Sequence, residues 1–407
     1  GASRLASDRD RRRRVRVRAP TGVAVFGSGR WTTFRVRAIR AVWDHATDPR
    51  PDEGVPKQKN RTAPHQRTDK KRLERLIDDF RSVRLLVLGD MVLDEYIWGD
   101  VDRISPEAPV PVVHVRDETT MLGGAANAAR NVVALGGAVD CCSVIGDDGA
   151  GRRVVELLKD LGVDPSGLVH DPERPTTRKS RVIAQNQQIV RFDRETAAPP
   201  QPSIARELLA RLERLIPRSD GAIIEDYGKG VLSRRLAVAA MKRFAAADLP
   251  VAVDPKTDLA PFRGASVVKP NFKEAELLSG MEIRDTESLE RAAAKIRKRV
   301  GGGSLVITRG PDGMSLFEGD DAPPIHVATA SRAVFDVQGA GDTTIAALVL
   351  ALRAGATLRE AAVVANAAAG TVVGKVGTAT ATRDEIREQL PRAIEAARQG
   401  RGQEGRA

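Results

Sequence analysis

The feature that most limits how this chain can fold is a regular alternation of short apolar runs and longer helical segments from residue 84 onwards. The apolar runs have the length of buried strands, and they lie at residues 84–89, 140–145, 221–225, 251–254, 266–269 and 304–308. Helical spacing of apolar residues follows at 125–135, 151–161, 204–215, 234–246 and 287–300. This alternation predicts an α/β fold, a doubly wound and mostly parallel sheet with helices on both faces.

Polar residues follow or close several of the expected strands, and these are Asp90, Glu225, Asp226, Asp254, Asn271 and Thr308. In open α/β sheets, ligands bind beyond the carboxyl ends of the strands. We therefore expect the functional site at that edge of the sheet.

Residues 176–194 break the alternation, because polar and apolar residues alternate there around a central Asn-Gln pair. This pattern predicts a β-hairpin that projects from the α/β body. A second extended piece is expected within residues 103–116. The two segments could form a small β lid over a substrate, although an ordinary edge hairpin fits the pattern equally well.

The positive charge of the chain is confined to its N-terminal segment. Residues 1–70 hold 18 Lys and Arg against 7 Asp and Glu, whereas the remainder holds 47 of each kind, so the whole excess of +11 lies in that segment. A neutral body argues against nucleic acid as the partner of the main domain. We expect residues 1–72 to be a disordered extension, with a basic arm for nucleic acid or an anionic surface as the alternative.

No apolar run reaches 18 residues, and no apolar segment follows the charged N-terminus, so neither a membrane-spanning helix nor a secretory signal is expected. The chain has two cysteines, Cys141 and Cys142, which are adjacent. Neighbours in a strand point to opposite faces, so we expect buried, reduced thiols in a cytoplasmic protein.

The strongest candidate site is the segment 336–344, which reads DVQGAGDTT. Gly339, Ala340 and Gly341 would expose backbone N–H groups at a helix start, where the helix dipole favours a bound phosphoryl group. Asp342 would lie in the first helical turn and could take a proton from an attacking hydroxyl. Such loops also serve as plain helix caps, so the motif needs support from its context.

Two further motifs supply that context. Gly123 and Gly124 enter a helix of small residues, where a sugar could approach the backbone and hydrogen bond to Asn127; tight helix packing is the alternative. Asn271 and Glu274 have the spacing of a capping box. The same two residues could instead organise the water shell of Mg²⁺, which takes few protein ligands.

These motifs, in this order, resemble the ribokinase-like (PfkB) carbohydrate kinase family over roughly residues 84–397. The fold of that family, a doubly wound α/β domain with a β lid, agrees with the predicted elements. The resemblance implies a kinase domain at residues 73–398, followed by a disordered tail at 399–407. It also implies a sugar substrate, ATP and Mg²⁺, and a homodimer.

Further segments resemble bacterial heptose 7-phosphate kinases, and they lie at residues 102–112, 186–191, 226–230, 254–256 and 366–378. This resemblance implies ATP-dependent phosphorylation of D-glycero-β-D-manno-heptose 7-phosphate at C1. The product would be the 1,7-bisphosphate, a precursor of ADP-heptose for lipopolysaccharide or related glycans. Another kinase of the family, acting on fructose phosphate, ribose or a nucleoside, is the alternative.

The resemblance also assigns roles to residues of the sugar side. Asp94 would bind two sugar hydroxyls, unless it only caps a turn. The residues expected to line the sugar are Gly123, Gly124 and Asn127. Candidates for the 7-phosphate are three lid cations that are otherwise solvated charges, namely Lys179, Arg181 and Arg191.

On the nucleotide side, the resemblance places ATP against Thr308, Arg309, Gly310, Gly313 and Asn366. Further phosphate contacts would come from Lys256 and Lys269. Asp342 would deprotonate the C1 hydroxyl while the backbone amides of residues 339–342 hold the transferring phosphoryl group and Mg²⁺ bridges the β- and γ-phosphates. Family analogy adds a monovalent cation, such as K⁺, beside Asp336.

The chain departs from its expected relatives at two points. Gln338 stands where they often carry Thr, and we expect the chemistry to survive because Asp342 and the neighbouring amides remain. Many relatives also carry a C-terminal nucleotidyltransferase domain with a His-x-Gly-His motif. The five histidines of this chain do not form that motif, so we expect another protein to perform adenylyl transfer.

Competing classes fit the sequence less well. A dinucleotide-binding dehydrogenase would need its G-x-G-x-x-G motif directly after the first strand, where this chain has Gly89 and Asp90. The chain also has no G-x-x-x-x-G-K-[ST] motif of a P-loop NTPase. A non-catalytic sugar-phosphate sensor would not need Asp342, Asn271 and Glu274, which are all present.

Overall fold

The computed structural model describes residues 69–185, 187–319, 322–331, 336–375 and 377–399. Within them, the main sheet has nine strands in the order β13-β12-β11-β10-β9-β8-β1-β4-β5. The strands are β1 (Arg84–Gly89), β4 (Ala138–Gly146), β5 (Leu168–Asp171), β8 (Gly221–Glu225), β9 (Val251–Asp254), β10 (Val267–Val268), β11 (Ser304–Thr308), β12 (Met314–Phe317) and β13 (Ile325–Val327). All neighbours pair in parallel except β11-β12-β13, which are antiparallel. The predicted parallel sheet is confirmed.

Helices cover both faces of this sheet and bury its alternate side chains in two cores. One core takes Leu85 and Val87 from β1, and the other takes Leu86 and Leu88. The first face carries α1 (Lys70–Asp79), α2 (Ala125–Ala134), α3 (Gly149–Asp160), α8 (Ala340–Arg353), α9 (Leu358–Val372) and α10 (Arg383–Gln399). The second carries α4 (Pro202–Leu215), α5 (Arg234–Ala246), α6 (Phe272–Ser279) and α7 (Thr286–Val300). This is the doubly wound arrangement that the sequence predicts.

A second, four-stranded sheet forms the small lid, in the order β3-β2-β6-β7. Its strands are β2 (Met91–Ile104), β3 (Pro111–Gly124), β6 (Thr177–Ala184) and β7 (Gln187–Arg194). The hairpin predicted at 176–194 is β6 and β7. The other hairpin extends well beyond the expected 103–116, because β2 starts directly after Asp90. Its first residues are apolar without alternation, so the period of two is hidden there.

The ends of the chain fall only partly within the described residues. Of the expected extension 1–72, residues 1–68 lie outside them, as do residues 400–407 and the hairpin residue Asn186. Helix α1 begins at Lys70, with Asp69 as its cap, and buries Leu73, so it starts before the expected domain boundary.

Two remaining expectations concern thiols and membranes. Cys141 and Cys142 are buried and unpaired, and they belong to the cores on opposite faces of the sheet. Burial raises the pKa of Cys142 to about 12. No helix among the described residues is long and apolar enough to cross a membrane.

Candidate active site

A cavity of about 650 Å³ lies at the carboxyl edge of the main sheet. The residues that end or follow four strands line it, as the sequence predicts: Glu225, Asp254, Asn271 and Thr308. Four cationic side chains also line it: Lys256, Lys269, Lys273 and Arg309. Carboxylates line the cavity as well, and two of the lysines pair with them, Lys256 with Glu274 and Lys269 with Asp254. Lys273 and Arg309 have no such ion pair among the described residues and are the cations best placed for a phosphate.

The start of α8 forms part of the same cavity through Gly339, Gly341 and Asp342. Gly339 has a φ of +74°, and a Cβ atom there would lie 2.8 Å from Asn127 Nδ2, so both conformation and space require glycine. The first N–H groups of a helix have no intrahelical partner. Because Gly339 places these groups at the cavity, the helix start can bind an anion.

Asp342 lies in the first turn of α8 and is only 5% exposed. Its Oδ2 accepts a hydrogen bond of 2.6 Å from Asn127 Nδ2, and its Oδ1 accepts one from the Tyr227 hydroxyl. Burial raises the pKa of Asp342 to about 6, although both hydrogen bonds oppose the shift. The carboxylate is therefore held in one orientation and is more basic than an exposed aspartate.

Tyr227 is a site residue that the residue-by-residue reasoning missed. It follows β8 in a loop whose backbone is tied to Asp90, since the Asp90 carboxylate accepts N–H bonds of 3.0 Å from Tyr227, Lys229 and Val231. Tyr227 lies 115 residues before Asp342. The only sequence signal was the resemblance of segment 226–230 to heptose kinases.

Asn127 has a different partner from the one expected. Its Nδ2 donates to Asp342, and its Oδ1 accepts from Arg130 at 2.8 Å. Arg130 also donates to the carbonyl oxygen of Thr378. Because a guanidinium group can only donate, it forces the amide oxygen of Asn127 away from Asp342 and the amide nitrogen towards it. Both atoms of the Asn127 amide thus have partners within the protein, and its N–H group orients the Asp342 carboxylate.

A buried ion pair lies beneath this loop. Lys269 is 2% exposed, and its Nζ is 2.7 Å from Asp254 Oδ2. A Cβ atom at Gly341 would lie 3.7 Å from that Nζ. Glu225 is fully buried beside the pair, and neither of its carboxylate oxygens has a hydrogen-bond partner within the structure. Burial raises the pKa of Glu225 well above its usual value, with the charge of Asp254 adding to the effect.

Asn271 and Glu274 form the capping box that the sequence allowed. Asn271 Oδ1 accepts from the Glu274 N–H at 2.9 Å, and Glu274 Oε2 accepts from the Asn271 N–H at 3.0 Å. Glu274 Oε1 pairs with Lys256 at 2.9 Å. Within the described residues, no three His, Cys, Asp or Glu side chains cluster closely enough to hold a metal ion directly.

On the sugar side, Asp94 lies on β2, is buried, and pairs with Arg181 at 2.7 Å. A Cβ atom at Gly123 would lie 2.2 Å from Asp94 Oδ2, so Gly123 makes room for this carboxylate. Gly124 has a φ of +56° and would otherwise clash with the Asp90 carbonyl oxygen at 2.5 Å. The glycine pair therefore serves close packing, and it does so directly beside Asp94.

The expected lid cations differ in their surroundings. Lys179 is half-buried, lies 5.8 Å over the Tyr227 ring, and has a pKa lowered by burial. Arg181 is buried against Asp94. Arg191 is exposed on β7 and pairs with Asp193 at 3.0 Å. The register aligns Lys179 with Asp94, and since alternate residues share a face, these groups lie on one face of the lid.

Only some of the residues that were expected to contact the nucleotide lie at the cavity. Thr308, Arg309 and Gly310 line the cavity, whereas Gly313 and Asn366 are not among the residues described as lining it. Asn366 instead stabilises the backbone that follows β13. Its Oδ1 accepts from the Ala330 N–H at 3.2 Å, and its Nδ2 donates to the Ala328 carbonyl oxygen at 2.8 Å.

Comparison with known proteins agrees with this fold. The pfkB family of carbohydrate kinases matches residues 84–385. The chain belongs to this family of carbohydrate kinases.

Two similar curated proteins are each called "Bifunctional protein HldE". The one from Desulfatibacillum aliphaticivorans is 47% identical and the one from Paramagnetospirillum magneticum is 46% identical, each over 312 residues and 76% of this chain. The chain spans 64% of the length of these relatives.

Solved structures share the fold. Arabidopsis thaliana ribokinase complexed with ribose and ATP has a TM-score of 0.62 at 21% identity. Escherichia coli phosphofructokinase-2 in complex with potassium also has a TM-score of 0.62, at 20% identity. Each comparison covers 76% of this chain and 98% of the other, and it confirms the ribokinase-like fold.

Proposed function

We propose that this protein transfers the γ-phosphate of ATP to the C1 hydroxyl of D-glycero-β-D-manno-heptose 7-phosphate, giving the 1,7-bisphosphate for ADP-heptose synthesis. Membership of the family supports the reaction class. The relatives called bifunctional protein HldE and the segments that resemble heptose kinases support the substrate. The observation that carries the proposal is the buried, doubly hydrogen-bonded Asp342 at an anion-binding helix start.

In this proposal Asp342 is the general base. A pKa of about 6 leaves the carboxylate ionised at neutral pH and makes it a stronger proton acceptor than an ordinary aspartate. Tyr227 and Asn127 hold its two oxygens, each of which retains a lone pair for the sugar hydroxyl. The proton moves from the C1 hydroxyl to this carboxylate as the oxygen attacks.

Of the backbone amides of residues 339–342, those of Gly339, Gly341 and Asp342 lie at the cavity and would hold the transferring phosphoryl group at the helix start, whereas the Ala340 N–H donates to the Val337 carbonyl oxygen at 3.3 Å. Arg309 adds positive charge along the same cavity, and Lys256 and Lys269, which pair with Glu274 and Asp254, offer further N–H donors to the phosphates. ATP therefore lies between the strand ends and α8, with Thr308 and Gly310 at its edge.

The residues present fit a hydrated Mg²⁺ ion rather than a directly ligated one. Glu225 has two unpartnered carboxylate oxygens buried beneath the cavity, whereas the capping box engages Asn271 and Glu274. Bound Mg²⁺ would neutralise charge on the phosphates. Asp336, whose carboxylate accepts N–H bonds from Gln338 and Gly377, is the residue that would hold a monovalent cation.

For the sugar phosphate, Asp94 binds hydroxyls and Lys179 binds the 7-phosphate. Lys179 is the better candidate among the lid cations, because Arg181 is committed to Asp94 and Arg191 lies on the exposed outer strand. Lys179 forms no ion pair with any residue that the structure describes, and a half-buried ammonium group on the lid face of Asp94 is well placed for a dianion.

The proposal includes a homodimer in the cytoplasm, with neither nucleic acid nor membrane as a partner of the kinase domain. Exposed apolar side chains on the lid strand β7, which are Ile189, Val190 and Phe192, support self-association.

The test is ATP-dependent phosphorylation of heptose 7-phosphate, fructose 6-phosphate and ribose, with kcat/KM measured for each. We expect a clear preference for heptose 7-phosphate. We also expect Lys179→Met to raise its KM about tenfold or more, since a phosphate contact is lost, and Arg191→Gln to change it far less. Preference for another sugar of the panel would reject the heptose assignment and leave the kinase class standing.

A further inference from the structure

One contact joins the lid to the loop that opens α8, and it involves Gln338, whose side chain has no role in the proposed reaction. The hydroxyl of Tyr96 on β2 donates to Gln338 Oε1 at 3.2 Å, and Gln338 directly precedes Gly339. We propose that Gln338 is a positioning residue that couples sugar binding at the lid to nucleotide binding at the α8 loop. The inference rests on the proposed kinase function and deepens it.

The lid end of this connection leads to the sugar side of the site. Tyr96 is 5% exposed, and the Arg181 guanidinium lies 5.3 Å from its ring centroid. Arg181 also holds Asp94 at 2.7 Å. A sugar hydroxyl that binds Asp94 therefore acts on the same arginine that packs on Tyr96.

The loop end leads to the anion-binding amides. The Gln338 N–H donates to Asp336 Oδ1 at 2.9 Å, while Asp336 Oδ2 accepts from the Gly377 N–H at 3.1 Å. These bonds fix the backbone of Gln338 immediately before the glycine that opens α8. A change in the position of the Gln338 side chain can therefore move the backbone of Gly339 directly, because the two residues are adjacent.

The chemistry of the contact explains why glutamine matters. Burial raises the pKa of Tyr96, so its phenol stays protonated and needs an acceptor. Glutamine and glutamate place an acceptor oxygen at the same reach, whereas threonine is shorter and alanine has none. A hydrogen bond of this kind, lost from the state in which both substrates are bound, changes their mutual affinity by about fivefold.

Trp98 offers a direct readout of the lid end. Its ring stacks on Tyr96 with centroids 6.0 Å apart. The other two tryptophans, Trp31 and Trp43, lie outside the described residues, and replacing both by Phe leaves Trp98 as the single fluorophore.

The experiment follows Trp98 fluorescence in this background while a non-hydrolysable ATP analogue is added with Mg²⁺. We expect a change in emission in the parent and in Gln338→Glu, and a loss of most of that change in Gln338→Ala, Gln338→Thr and Tyr96→Phe. The double variant Gln338→Ala/Tyr96→Phe should lose no more than Tyr96→Phe alone, because Tyr96→Phe already removes the contact with Gln338 together with the one to Thr378. Thermal unfolding confirms that each variant is folded.

A parent without a nucleotide-induced change, a change that persists in the single variants, or losses that add in the double variant would each overturn the coupling. Heptose 7-phosphate should tighten binding of the analogue about fivefold in the parent and not in Gln338→Ala. If the fluorescence coupling is present but the parent phosphorylates none of the sugars in the panel, the proposed substrate fails and the coupling stands.

Discussion

The base of the site on the α/β body and the outer strand of the lid use the same kind of interaction in opposite surroundings. In the body, Lys269 and Asp254 form a 2.7 Å ion pair in which the lysine is 2% exposed. On β7, Arg191 and Asp193 form a 3.0 Å pair on a strand whose residues are all exposed. Burial fixes the first pair in one geometry, whereas water competes for the second.

Between these extremes, the inner lid is buried like the body. Asp94 and Arg181 pair at 2.7 Å, and each side chain is 8% exposed. The lid therefore changes from a buried inner part around Asp94 and Arg181, its root, to a solvent-exposed outer strand, β7, its rim. This gradient indicates that chemistry and stability depend on the buried half, and that replacing one member of the exposed pair Arg191–Asp193 costs little stability.

The largest effect is expected at the centre of the buried half. Asp342→Asn keeps the shape of the side chain but removes the proton acceptor, so we expect kcat to fall about 10²- to 10⁴-fold. Steady-state kinetics with saturating ATP and sugar phosphate measure this. Asp160→Asn, which alters an exposed carboxylate at the end of α3, is the matched control. Equal transfer by wild type and Asp342→Asn would exclude the enzymatic role of Asp342.

The two ion pairs can be compared directly by their stability. Lys269→Met leaves the carboxylate of Asp254, which is 18% exposed at the cavity, without its partner, and we expect the free energy of unfolding to fall by about 3 kcal/mol. Arg191→Ala should change it by less than about 1 kcal/mol. Chemical denaturation measures both. Similar losses of unfolding free energy in the two variants would contradict the difference between the buried pair of the body and the exposed pair of the rim.

Gly123→Ala tests the buried part of the lid, where Gly123 at the end of β3 packs against Asp94. The added Cβ atom would lie 2.2 Å from Asp94 Oδ2 and must displace that carboxylate. We expect the KM for the sugar phosphate to rise about tenfold, as for the loss of a charge-assisted hydrogen bond, with nucleotide affinity nearly unchanged. Gly149→Ala is the control, because its Cβ would lie 3.9 Å from the nearest side-chain atom, on Arg152. An unchanged KM would remove Asp94 from the sugar site.

The pH dependence of kcat tests how burial in the α/β body changes the pKa of Asp342. Because burial raises the pKa of Asp342 to about 6, its base form is lost as the pH falls through that value. We expect kcat to drop about tenfold for each pH unit below 6. Tyr227→Phe removes a hydrogen bond that stabilises the carboxylate, so the acid limb should move to higher pH. An acid limb near pH 4 would mean that Asp342 is not the titrating base.

Much of the fold could be predicted because it is encoded locally. The strands at 221–225, 251–254 and 304–308 match the structure, since a buried parallel strand is a short apolar run whatever its partners are. The hairpin at 176–194 showed its period of two. The start of β2 did not, because its apolar residues pack on both sides before the alternation begins.

The candidate site likewise has features that the sequence predicts and features that it does not. By itself, the sequence determined the helix start at Gly339, the acidic strand ends and the position of Asp342, because glycine placement and strand termini are local properties. Only the tertiary structure decided that Tyr227 and Asn127 hold Asp342, and that Tyr96 reaches Gln338 across 242 residues. Hydrogen-bond partners so distant along the chain meet only through the order in which the strands are laid side by side, and no local spacing records that order.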